Sequence, residues 1–155
     1  MKINEILESV KSGKISTSSA KKLLTLYSIE EVENFAKIDI NRSKRRGVPE
    51  VIFAETKELE DTKKIIKRTL DKTNLVIVSR IKKDDYKKII IFAKKLKVKV
   101  ETGKNSSTIL LFKKPIKFHG GKVGIMTAGT SDIGVAEEAR LMCQAMNCQC
   151  ITSYD

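Results

Sequence analysis

Apolar positions along the chain recur with two different periods, and the change from one to the other marks out the elements. Ile3, Ile6, Leu7 and Val10 fall on one helical face, with Asn4 near its start and Ser12 and Gly13 as a stop. Good N-cap residues between Ile15 and Ser18 precede a second stripe of Ala20, Leu23, Leu24 and Tyr27. Ser28 then precedes Ile29, Val32 and Phe35 at helical spacing, with Glu30, Glu31 and Glu33 in the first turns, which predicts a third short helix. Residues 1–36 are therefore expected to be a small helical element that packs on the rest of the chain or on another chain.

Beyond residue 36 the period shortens. Lys37 to Ile40 alternates like a strand, and Val51 to Ala54 is a short apolar strand. Thr56 to Leu70 returns to helical spacing through Leu59, Ile65, Ile66 and Leu70. Leu75 to Val78 is a buried-type strand ending in Ser79 and Arg80, and Asp84 to Leu96 is a lysine-faced helix. Val98 to Val100 and Thr108 to Phe112 complete a small α/β layer over residues 37–118. A connector with Pro115, Gly120 and Gly121 places a domain boundary near residues 115–121.

Residues 119–155 hold the stretch with the clearest chemistry. Val123 to Met126 reads as a buried parallel strand, stopped by Thr127, Ala128, Gly129, Thr130, Ser131 and Asp132. From there Ile133, Ala136, Ala139 and Met142 or Cys143 recur at helical spacing, with Ser131 or Asp132 as the expected cap and Glu137 and Glu138 in the first half. Cys148 to Ser153 is a second strand. A strand, a small-residue turn and a helix start put backbone N–H groups at the carboxyl edge of a sheet, where phosphate is favoured, although a small capped turn that binds nothing is the plain alternative. Neither a G-x-G-x-x-G nor a Walker loop is present. One β-α-β unit cannot cover both faces of its own sheet, so this last domain is expected to be only begun, and its open strand edge is an expected association risk.

Composition narrows the partners. An apolar share of 41%, a charged share of 32% and two prolines describe a globular chain with no apolar run near membrane-spanning length. The N-terminus lacks a signal-peptide core, and an odd count of three cysteines points to a reducing cytoplasm. Cys143, Cys148, Cys150 and the lone His119 match no zinc spacing, so no metal site is assigned and core packing is the expected role of the thiols. The net charge of +12 rests largely on lysines facing away from helix stripes, and without tryptophan there is no obvious single-strand stacking platform. Nucleic acid is therefore the weaker partner.

Arginine is the exception to the lysine excess. Arg42, Arg45 and Arg46 sit in a loop closed by Gly47 and Pro49, where bidentate guanidinium contacts suit an anion better than lysine would. A solvated loop is the plain alternative.

These motifs resemble the LarB family, whose second half resembles PurE-type aminoimidazole ribonucleotide carboxylases. Asp39, Arg42, Arg45, Gly47, Pro49, Glu50, Val51 and Ile52 follow the family's D-x-x-R-x-x-R-x-G-x-P-E-V-I order. Ser79-Arg80 stands where the family has Thr-Arg, and Thr127 to Asp132 with Ala136 to Ala139 resembles the PurE-like turn and helix. Asn41 replaces a usual histidine, and Ala54 and Thr56 replace glycines. The resemblance implies an α/β chain: helical element, small α/β domain, then the first β-α-β of a flavodoxin-like domain.

It also implies a reaction. Such enzymes carboxylate the pyridinium ring of nicotinic acid adenine dinucleotide and hydrolyse its phosphoanhydride, releasing AMP on the way to the nickel-pincer cofactor. The substrates implied are that dinucleotide and carbon dioxide, with magnesium as a candidate ion. Gly129, Thr130, Ser131 and Asp132 would hold phosphate and ribose, Arg42 and Arg45 would add charge, Asp39 or Glu50 would orient them, and Arg80 is a further candidate. The family's cysteine nucleophile lies beyond residue 155, so this chain alone is expected to be inactive. The expected partners are copies of itself or a separately encoded C-terminal half. Two alternatives stay open: a PurE-like purine-pathway carboxylase, and a non-catalytic basic module that binds nucleotide or nucleic acid.

Overall fold

The computed structural model describes residues 3–21, 29–32, 36–39 and 48–155, with side chains described for residues 5–21 and 48–155. Two compact units divide the chain, Met1–Asn41 and Arg42–Asp155.

In the first unit, α1 (Ile3–Lys11) has Ile6 fully buried, as the apolar stripe requires. Ser16 caps the helical turn that begins at residue 17: its Oγ accepts the Ser19 N–H at 3.1 Å. The stripe residues Leu23, Leu24 and Tyr27 lie outside the described residues. Over Ile29–Val32 the expected third helix does not form, and Glu33 and Phe35 lie outside the described residues. Ile29–Val32 is instead strand β1, antiparallel to β2 (Ala36–Asp39) with Ile29 opposite Asp39. The i, i+3 spacing of Ile29 and Val32 suggested a helix, but both are β-branched and the alternating segment after them offers a ladder partner. A helix this short is marginal without tertiary support, so the ladder wins.

The second unit is built on a four-stranded sheet of order β3-β4-β6-β5, from β3 (Val51–Phe53), β4 (Leu75–Ser79), β5 (Lys99–Thr102) and β6 (Ile109–Phe112). β3 and β4 are parallel, while β6 is antiparallel to both β4 and β5. Hence β3, β4 and β5 share one direction and one carboxyl edge. Helices α2 (Leu59–Lys72) and α3 (Lys83–Lys95) provide the connections and bury Ile65, Ile66, Leu70, Ile89 and Ala93.

After β7 (Lys122–Thr127) and a 3₁₀ turn at Thr130–Asp132, α4 (Ile133–Ala145) leads to β8 (Gln149–Tyr154), parallel to β7. Leu141 and Ala145 of α4 pack with Ile77, Leu110 and Phe112 of the four-stranded sheet. Strand side chains alternate between faces, so Val76, Val78, Ile109 and Leu111, all buried, point to the other face. Near-continuous apolar strands such as Ile109–Phe112 thus reflect a sheet covered on both sides.

Two expectations for the last segment need correction. β7 is parallel but not buried: its exposure alternates, and Met126 is 83% exposed, because a two-stranded sheet with α4 on one face leaves the other open. Ala139 is exposed, and the buried positions of α4 are Ile133, Ala136, Glu137, Leu141 and Ala145. Wedged against two sheets, α4 buries a broader and rotated set than a one-sided stripe.

Candidate functional site at the carboxyl edge

Register places Phe53 opposite Ser79, and both Val78 and Thr102 opposite Ile109, along one end of the sheet. α4 descends from that end. Its Glu138 meets Ser79, and its Leu141 and Ala145 reach the deeper core. The turn before α4, Gly129–Asp132, therefore stands at the same end as Phe53, Ser79 and Arg80.

Ser79 and Thr108 are fully buried, and Thr108 Oγ1 donates to Ser79 Oγ at 3.2 Å while Ser79 Oγ donates to Glu138 Oε1 at 2.6 Å. A chain of two hydroxyls and a carboxylate thus ties β4, β6 and α4 together. Gly134 allows close approach beside it, because a Cβ there would run into the Asn105 carbonyl oxygen. Gly103 is similar: a Cβ would stand 2.7 Å from Glu137 Cβ.

Beside Glu138 on α4, the buried Glu137 accepts hydrogen bonds from Arg140 Nε (3.0 Å to Oε2), Tyr154 Oη (2.7 Å to Oε1) and the Lys104 N–H (3.2 Å). Burial alone would raise its pKa, but the Arg140 and Tyr154 hydrogen bonds and the Arg140 charge outweigh it and lower the carboxyl below its ordinary value. Tyr154 is raised, first by burial and then by its bond to Glu137. Arg140 also donates to the Thr102 carbonyl at 3.1 Å and lies 3.6 Å from Glu101, so this cluster joins β5, α4 and β8.

Arg80 ends β4 with φ 54°, a left-handed backbone. Its Nη1 is 3.1 Å from Glu55 Oε2, and its guanidinium lies 5.7 Å from the centroid of the Phe53 ring. Lys57 Nζ donates to the Phe53 carbonyl at 3.0 Å and Lys82 Nζ to the Lys57 carbonyl at 3.1 Å, adding positive charge to this edge.

The residues predicted from sequence do not all converge. Arg80, Gly129, Thr130, Ser131 and Asp132 share the carboxyl end of the second unit. Glu50 lies at the opposite end of β3, where its carbonyl accepts the Ile77 N–H at 3.1 Å. Asp39 closes β2 in the first unit, and Arg42 and Arg45 lie outside the described residues. The turn is not capped by a side chain: Ser131 Oγ donates weakly to Asp132 Oδ1 at 3.3 Å, and the Asp132 N–H is taken by the Gly129 carbonyl at 3.0 Å. The 3₁₀ turn replaces the expected cap with backbone bonding. Sequence reasoning overlooked Phe53, Glu55 and the partnership of Ser79 with Glu138. The adjacent Glu137 and Glu138 were legible, but not that they face two different strands.

The three thiols gather where α4 meets β8. Burial first, and then the Cys143 thiol, push Cys150 up to about 11, so it is a protonated packing thiol at neutral pH. Among the described residues no group of three or more His, Cys, Asp or Glu side chains converges to hold a metal ion. No helix among them is long and apolar enough to cross a membrane.

A three-layer α/β unit with a charged carboxyl edge is the class of fold that handles small ligands at that edge. The chain belongs to the LarB/PurE-like N-terminal domain family, which matches residues 29–110. An uncharacterized protein of Methanocaldococcus jannaschii is 34% identical over 157 residues, covering 99% of this chain. The chain spans 60% of that relative's length.

Proposed function

We propose that this chain is the nucleotide-holding portion of a LarB-type carboxylase/hydrolase acting on nicotinic acid adenine dinucleotide. One observation carries the reading: the family-matched sheet and the following β7–turn–α4 segment meet at a single carboxyl edge, joined by Ser79 and Glu138 at 2.6 Å. There the backbone N–H groups at the start of α4 would take phosphate, and Arg80 and Lys57 would add positive charge. Asp132 is the turn's carboxylate, and a magnesium ion would be held mainly by the dinucleotide phosphates beside it.

The reaction adds carbon dioxide to the pyridinium ring and hydrolyses the phosphoanhydride to release AMP. Completing it requires the family's cysteine nucleophile from further polypeptide, as a continuation of this chain or as a separate half, in an assembly of several copies. The open face of β7 and β8, with Met126 83% and Ile151 62% exposed, supports docking of such polypeptide there.

Calorimetric titration with nicotinic acid adenine dinucleotide and its nicotinamide counterpart tests the reading. Preferred binding of the nicotinate form is expected. Equal binding of both, or of neither, would remove the proposed substrate.

A further inference from the structure

We propose that Phe53 and Arg80 form a stacking platform for the heteroaromatic base of a nucleotide, an inference that rests on the nucleotide reading above. Three observations support it. Phe53 is 53% exposed at the end of β3, although it shares a sheet face with Val51, which packs against the core. α4 packs on the inner strands β4 and β6, and the Phe53 ring on edge strand β3 is left exposed at the carboxyl edge.

Arg80 is the second observation. Among the described non-glycine residues, positive φ also occurs at Lys97, Asn105 and Asn147. Lys97 and Asn147 end α3 and α4, and Asn105 lies in the β5–β6 loop, where such backbone is common. Arg80 leaves a strand instead, and a left-handed conformation in a bulky residue is strain of the kind found at functional positions.

The third is the geometry between them. The guanidinium sits 5.7 Å from the ring centroid, and Glu55 holds it at 3.1 Å while both side chains of that pair stay more than half exposed. A planar cation and an aromatic ring are thus pre-arranged with little left to order on binding. Purines stack on both kinds of surface, and a cationic pyridinium ring suits the aromatic one; neither needs a base-specific hydrogen bond. Lys57, which donates to the Phe53 carbonyl, and the turn at the same sheet end suit the phosphate of the same ligand.

The test titrates AMP, nicotinic acid mononucleotide and ribose 5-phosphate into the full chain and into Phe53→Leu, Phe53→Trp and Arg80→Lys. Phe53→Leu should weaken the ring-bearing ligands by about tenfold or more and leave ribose 5-phosphate unchanged, with Phe53→Trp retaining affinity. Arg80→Lys keeps the charge and loses the plane, so it should also lose ring affinity. AMP against nicotinic acid mononucleotide decides which ring of a dinucleotide lies here. Binding of AMP without any preference for nicotinate dinucleotides would sink the proposed substrate and leave the platform standing. Ring-bearing ligands that bind Phe53→Leu as they bind the parent chain would overturn the platform alone, as would an equal loss for ribose 5-phosphate. If no ring-bearing ligand binds the parent chain, both fall.

Discussion

Ser79 Oγ donates a 2.6 Å hydrogen bond to Glu138 Oε1, and this contact between residues 59 positions apart joins the sheet to the helix that follows the Gly129–Asp132 turn. Ser79 is fully buried, so its hydroxyl must be satisfied within the protein.

Removing that hydroxyl leaves the Thr108 Oγ1 donor and the Glu138 carboxylate short of a partner. Ser79→Ala should cost about 1–3 kcal/mol in urea unfolding. Glu138→Gln keeps an acceptor for the same hydroxyl and should cost less. Equal costs would mean that the carboxylate's charge, and not an acceptor alone, is what the contact requires.

Gly134 is a steric requirement rather than a hinge. Its missing Cβ makes room for the Asn105 carbonyl oxygen, a backbone atom that cannot rotate away. Gly134→Ala should destabilise the fold by about 1–3 kcal/mol, although alanine is the better helix former by about 1 kcal/mol. A thermal scan showing stabilisation would contradict the close approach.

At Arg80 the backbone conformation and the side chain can be tested separately. Glycine removes the ion pair to Glu55 together with the left-handed strain, whereas alanine removes only the pair. Arg80→Gly should therefore be more stable than Arg80→Ala by about 1 kcal/mol. The exposed pair itself contributes between about 0 and 1 kcal/mol, so neither variant should unfold.

The Glu137 cluster makes stability depend on pH in a defined direction. Its folded pKa lies below the ordinary 4.5, so the unfolded chain takes up the proton first as pH falls. The contribution is complete above that value and is lost as pH drops through the folded pKa. Tyr154 acts at the other end: its folded pKa lies above 10.0, so its contribution is present below that value and fades as pH rises through the folded pKa. Unfolding midpoints of the parent chain and Glu137→Gln should converge on acidification below about pH 4.5, the ordinary value. A gap that stays constant to pH 3, on the order of ~1.5 units lower, would show that Glu137 is not held by these partners.

Cys150, at about 11, should be the slow thiol. In a timed alkylation with iodoacetamide at pH 8, close to the ordinary thiol pKa of about 8.5, peptide mass spectrometry should find Cys150 modified last. Early labelling of Cys150 would place it in a more open setting than the α4–β8 junction.

Much of the second unit is legible in the sequence because its local patterns agree with its fold. Leu75–Ser79 and Ile109–Phe112 are apolar at nearly every position, and α2 and α3 keep their lysines off the buried stripe. Residues 29–32 mislead because four residues carry too little periodicity to separate a helix from a strand, and pairing with Ala36–Asp39 decides between them.

The sequence by itself determined the alternation of strand and helix, the small-residue turn at Gly129–Asp132 and the family, since each depends on neighbours along the chain. Only the tertiary structure decided that β6 runs against the other three strands of its sheet, and that α4 carries Glu138 to Ser79. It alone shows Phe53 uncovered beside Arg80. Those relationships join residues from different elements, and their energy comes from burial and hydrogen bonds that exist only once the layers have packed.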